Sequence, residues 1–201
     1  MSHLNALIEL LDIYFSEFVN KIKAGNLSPD ISSIKNTKVV SFNYTNFIEN
    51  YENISCVHYV HGRLSCFQEN NTNSIVLGVD DDLISDTDFV RFQKFFQRIQ
   101  KRTGTIYKEW VTEPVLMDSG FYKVYVFGHS LAYNDKSVLS YFFENKYVDK
   151  IYIYYINQKS YEELIVNLIK LFDKDYVIKN VSEGRIEFVP VKETETAVLT
   201  L

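Results

Sequence analysis

The chain has 201 residues, 46% hydrophobic and 15% aromatic, which is enough apolar surface for one folded domain and excludes a disordered tail. A net charge of −5 argues against generic nucleic-acid binding. The two cysteines, Cys56 and Cys66, form no Cys-x-x-Cys pair and are too few for a disulfide scaffold.

No apolar run is long enough to span a bilayer, and no basic stretch precedes an apolar core at the N-terminus. The expectation is a soluble protein of a reducing cytoplasm with no membrane partner.

Leu4 to Lys23 repeat apolar residues at 4, 7, 8, 11, 14, 15, 18, 19 and 22, which predicts a helix ended by Gly25-Asn26. Leu27 to Asn36 reads as a loop around Ser28-Pro29-Asp30. Lys38 to Phe42 is a predicted strand, Thr45 to Tyr51 a short helix capped by Thr45 or Asn46, and Val57 to Val60 a second strand. Glu69 to Ser74 is a polar turn. Ile75 to Val79 is a third strand, followed by the acidic run Asp80-Asp81-Asp82.

Asp88 to Lys101 is a predicted helix with Phe89, Phe92, Phe95, Phe96 and Ile99 on one face. Opposite them Arg91, Lys94, Arg98 and Lys101 form a basic stripe, either a solvated face or an electropositive rim for phosphates or a partner. Tyr107 to Leu116 is a weaker helix broken at Pro114. Lys123 to Phe127 is a strand, Asp135 to Asn145 a helix, Lys150 to Ile156 a strand, Ser160 to Phe172 a helix and Arg185 to Val191 the last strand. Strands alternate with helices, which predicts an α/β, Rossmann-like fold: one domain over 1–201 with a mostly parallel sheet and flanking helices.

In such sheets ligands bind outside the carboxyl ends of the strands. The strand at Lys38 to Phe42 runs into polar Asn43, and the one at Val57 to Val60 runs into His61-Gly62. Asn and His together can orient and deprotonate a hydroxyl or a water. Taken singly, Asn43 reads as a turn residue and His61 as a loop residue; the matching strand ends favour a site. A third strand end opens into Gly128-His129-Ser130-Leu131, with Asp135 at the next helix. Backbone N–H groups there, with the Ser130 hydroxyl, can bind phosphate or ribose oxygens. Asp135 can accept from a sugar hydroxyl or cap its helix.

Gly128 to Ala132 also resembles the nucleophile elbow of α/β-hydrolases, but no histidine follows Ser130, as that fold's order requires. Cys56, His58, His61 and Cys66 lack a standard zinc spacing, so no metal is expected.

Phe42-Asn43-Tyr44-Thr45, His61-Gly62-Arg63-Leu64, Ile75 to Asp81, and Phe127 to Leu131 with Asp135 resemble the abortive-infection AbiH family of phage-defence proteins, over roughly residues 38 to 172. That family is in turn similar to sirtuin-like domains, several of which consume NAD. The resemblance implies Asn43 and His61 as the catalytic pair. It also implies Gly62, Gly128, Ser130 and Asp135 as nucleotide-binding residues, with NAD as substrate. AbiH-like proteins usually begin with a strand and a Gly-Asn-Gly-Phe-Asp loop; this chain begins on the helix at Leu4 and has no Gly-x-Gly. The resemblance therefore implies a missing opening strand and cradle: a fragment, a shortened relative, or a site completed by a second polypeptide or a second copy. Three activities fit: cleavage of the nicotinamide–ribose bond, nucleotide or partner binding without turnover, and serine hydrolysis.

Overall fold

A computed structural model describes residues 2–22, 27–35, 37–67, 73–79, 87–112 and 121–192. The chain divides into two compact units, one reaching to Ile106 and the other spanning Tyr107–Lys192. The fold is α/β, with a two-stranded and a three-stranded sheet, both parallel.

In the first unit helix α1, Ser2–Tyr14, continues through a π turn, Phe15–Val19. It buries Ile8 against Leu64 and Ile75, with Leu4, Phe15, Tyr44 and Leu77 around them. Each fully buried aliphatic side chain of this kind contributes about 1.5–3 kcal/mol. The buried Asp12 carboxylate accepts from the Ser65 N–H at 2.8 Å, tying the helix to the chain beyond His61. Leu7, Leu10, Tyr14, Phe18 and Ile22 are exposed, so only part of the apolar periodicity is core. The predicted stop at Gly25-Asn26 lies outside the described residues.

Pro29–Ser32 form a short helix, α2, where a loop was expected. Proline at the first helical positions is pre-set for a helix and has no N–H to leave unbonded. Strands β1, Thr37–Ser41, and β2, Ile54–Tyr59, pair in parallel, with Ser41 opposite Tyr59. β2 starts three residues earlier than the predicted Val57. Between them Phe47–Asn50 form one 3-10 turn with Asn46 in the N-cap position.

Ile75–Val79 is not a strand; only Val79 makes an isolated bridge, to Gln93. Its backbone groups are satisfied another way. The Val76 N–H donates to the His61 carbonyl at 2.8 Å. The Gln97 amide grips Leu77 from the other side, accepting from its N–H at 2.9 Å and donating to its carbonyl at 2.6 Å. Lys101 Nζ donates to the Ile75 carbonyl. Side chains thus replace the neighbouring strand. The polar turn and acidic run predicted on either side fall largely outside the described residues.

This clamp turns the next helix around. The predicted single helix is a 3-10 turn, Thr87–Phe92, followed by helix α3, Lys94–Lys101. Lys94 and Gln97 are buried and Lys101 half-buried, while Phe89, Phe92, Phe95 and Ile99 are exposed. The reading of the basic stripe as a solvated face is therefore corrected for Lys94 and Lys101, whose positions face inward.

At the boundary of the two units Ile106–Glu109 form a 3-10 turn where the weak helix was predicted to begin, and the end of that prediction, beyond residue 112, lies outside the described residues. Strands β3 (Tyr122–Val126), β4 (Val148–Tyr155) and β5 (Ile186–Pro190) lie side by side in that order, all parallel. Helix α4, Lys136–Phe143, connects β3 to β4; helices α5, Gln158–Phe172, and α6, Lys174–Ser182, connect β4 to β5. Ile151, Ile153, Val138, Phe143, Leu168 and Ile186 form the core. A capping box of Asn157 and Ser160 starts α5. Helix α6 had no counterpart in the sequence reading: Asp173, at φ 70°, ends α5 and caps α6 through the Tyr176 N–H at 2.8 Å.

Candidate functional site

The first unit gathers Asn43, His61 and Gly62. Ser41 is opposite Tyr59 across the parallel pair. Asn43 and His61 each lie two residues further along the sequence, past the last paired residues. The Val60 N–H donates to the Ser41 carbonyl at 3.0 Å, the last bond of the ladder, and the Gly62 N–H donates to the Tyr59 carbonyl at 3.0 Å, so the chain turns at His61. The buried Ser41 hydroxyl holds the Asn43 backbone, accepting from its N–H at 3.3 Å and donating to its carbonyl at 3.4 Å. Asn43 itself is exposed. The Tyr44 hydroxyl donates to the Val76 carbonyl at 3.0 Å and anchors the other side of this turn.

His61 is 6% exposed, its imidazole edge-on to Phe42 at 5.5 Å between ring centres. Gly62 has φ +77°, and a Cβ there would stand 1.9 Å from the Ser74 carbonyl oxygen. Only glycine lets the chain turn after His61 and still pair with residues 74–76. Beyond it the Arg63 guanidinium stacks over the Tyr59 ring at 4.6 Å and donates to Glu49 at 3.0 Å. The Tyr59 hydroxyl donates to the same carboxylate oxygen at 2.9 Å. Burial, and then that bond to Glu49, push the Tyr59 pKa up. This network braces the end of β2.

His58, one turn of the pleat before, is also buried. Its pKa is lowered, first by burial and then by the Arg98 charge, against the pull of a bond to the Gly104 backbone. Burial also lowers the Lys101 ammonium pKa. Among the described residues no group of His, Cys, Asp and Glu is arranged to hold a metal ion.

The second unit gathers Gly128, Ser130 and Asp135 at the carboxyl end of β3. Phe127 stacks on Tyr154 at 3.9 Å and fixes the strand end. Gly128 (φ +62°) and Leu131 (φ +54°) are both left-handed, which shapes the loop between them. His129 Nδ1 accepts from the Leu131 N–H at 2.9 Å, and its Nε2 lies 3.5 Å from Asp135 Oδ2. Asp135 occupies the N-cap position of α4 without a side-chain cap bond. Ser130 is exposed, and its carbonyl accepts from Asn167 Nδ2 at 2.8 Å. Two backbone donors expected for phosphate are used internally: Leu131 N–H by His129, and Asp135 N–H by the Ala132 carbonyl at 3.1 Å.

The family model for bacteriophage abortive infection AbiH matches residues 1–157, which include both clusters. The chain belongs to the AbiH family. Membership gives it a role in bacteriophage abortive infection. No curated protein and no solved structure matches the chain.

In this AbiH protein the sequence reading did not assign roles to Ser41, Tyr44, Glu49 or His129. Ser41 and His129 carry a local signal, since each bonds a backbone group two residues ahead. Tyr44 and Glu49 act across 32 and 10 residues of chain, which no local pattern reveals.

Proposed function

We propose that this AbiH protein acts on a nucleotide, with cleavage of the nicotinamide–ribose bond of NAD as its reaction. What supports this reading is that Asn43 and His61 each follow by two residues the last pair of the parallel strands β1 and β2, Ser41 and Tyr59. Breaking that bond builds positive charge on the sugar, as in glycoside hydrolysis. A neutral His61 accepts a proton from the attacking water or a ribose hydroxyl, and the Asn43 amide holds that oxygen in line. In this reading Gly62 contacts the nucleotide in the first unit, and Gly128, Ser130 and Asp135 are the candidate nucleotide contacts of the second unit. NAD loss with the purified chain, compared with His61→Ala, tests it: loss by the wild type alone is expected, and equal loss by both sinks the assignment.

A second reading keeps the nucleotide or partner binding and drops the turnover. The burial of His61 favours it, since a general base must reach its substrate. Thermal shifts with NAD and ADP-ribose, without NAD loss, would support it. Serine hydrolysis is the weakest of the three readings, because His129 is turned to Leu131 and Asp135.

A further inference from the structure

Helix α1 carries apolar residues on two sides. Leu4, Ile8 and Phe15 face the core beside Leu64, Ile75 and Tyr44. Leu7, Leu10, Tyr14, Phe18 and Ile22 do not: they are between 48% and 72% exposed. A surface helix ordinarily keeps its large apolar side chains in one stripe toward the core and turns a polar face to water. Contiguous apolar surface left open marks an interaction site.

The five exposed residues recur at steps of three, four, four and four. In an unbroken α-helix each step of four drifts about 40° round the axis, so Phe18 and Ile22 would leave the line begun by Leu7. The π turn Phe15–Val19, closed by the Asn20 N–H on the Phe15 carbonyl at 2.8 Å, takes up the extra residue. Tyr14 and Phe18 accordingly stack, with ring centres 5.8 Å apart. The helix thus presents one straight seam, the kind that takes a second helix.

Charge decides what that helix is. Exposed Glu9 flanks the first half of the seam, and exposed Lys21, ion-paired to Glu17, flanks the second. A second copy running parallel would set Glu9 against Glu9 and Lys21 against Lys21. One running antiparallel sets each Glu9 beside the Lys21 of the other copy. It also seats Leu10 between Phe18 and Ile22 of that copy, so the two seams mesh. Closing the seam on itself about a two-fold axis removes on the order of 1,000 Å² of surface, the size at which specific interfaces begin.

We propose that this face of α1 is a homodimer interface, along which two copies of the chain pair antiparallel. It lies wholly in the first unit and stands apart from the nucleotide reading.

Sedimentation equilibrium of the full chain tests it. The wild type is expected at twice 23.6 kDa. Leu10→Glu combined with Phe18→Glu, both at exposed positions, is expected to keep the wild-type far-UV spectrum and to sediment as a monomer at the same concentrations. Glu9→Lys and Lys21→Glu are each expected to weaken the dimer on the order of tenfold, as two attractive contacts become repulsive. The two together are expected to restore it. A wild type that stays monomeric at its highest soluble concentration overturns the proposal; if that monomer floats with vesicles of anionic phospholipid, the seam belongs to a lipid surface instead. A dimer that survives Leu10→Glu with Phe18→Glu overturns it as well. So does a double charge reversal that self-associates no better than either single one.

Discussion

Asn43 and His61 each follow the Ser41–Tyr59 pair by two residues, one exposed and one buried. The asymmetry gives a clean first test. Removing an exposed amide costs little stability, within about 0.5 kcal/mol. Asn43→Ala is therefore expected to melt with the wild type and to lose NAD cleavage by on the order of a hundredfold or more. Paired melting and NAD-loss measurements check it.

Two glycines of the candidate site answer differently to the same change. A Cβ at Gly62 meets the Ser74 carbonyl at 1.9 Å, whereas one at Gly128 meets nothing within 4 Å. Gly62→Ala combines left-handed strain with a backbone clash and should cost about 3 kcal/mol or more. Gly128→Ala carries only the strain, about 1 kcal/mol. Urea unfolding of the two variants reads the difference.

Helix α3 should respond to mutation in the reverse of its hydropathy. Gln97→Ala strips partners from the Leu77 N–H and carbonyl and is expected to cost about 2–4 kcal/mol. Ile99→Ser, at a position 73% exposed, should change stability by no more than about 0.5 kcal/mol. Equal losses from the two would refute the inward-facing polar stripe.

His58 supplies the pH dependence. Its folded pKa lies below the ordinary 6.5, chiefly through burial. Above 6.5 both states hold it neutral. As pH falls through that value the unfolded chain takes up a proton that the folded chain resists, so stability drops toward the lowered folded pKa. Urea midpoints measured across this range should fall with pH in the wild type, and less steeply in His58→Gln.

What the sequence determined by itself is everything carried by local pattern. Period-two and period-3.6 apolar spacing marked β1, β3, β4, β5 and α5, and their alternation implied the parallel α/β fold. Polar residues just past apolar runs marked Asn43, His61 and the Gly128 loop. Tertiary structure alone decided where hydrogen bonds went once neighbours arrived. Ile75–Val79 has a strand's composition, yet Gln97 and Lys101 take the place of a paired strand. For the same reason α3 turns its amide and ammonium groups inward and Phe95 and Ile99 out. Backbone groups must be satisfied before apolar surface is hidden, and which side chain satisfies them depends on contacts spanning 20 and 26 residues of chain. Asn43 and His61 are of that kind too: their residue types are legible in the sequence, but the pairing of Ser41 with Tyr59 just before them is not.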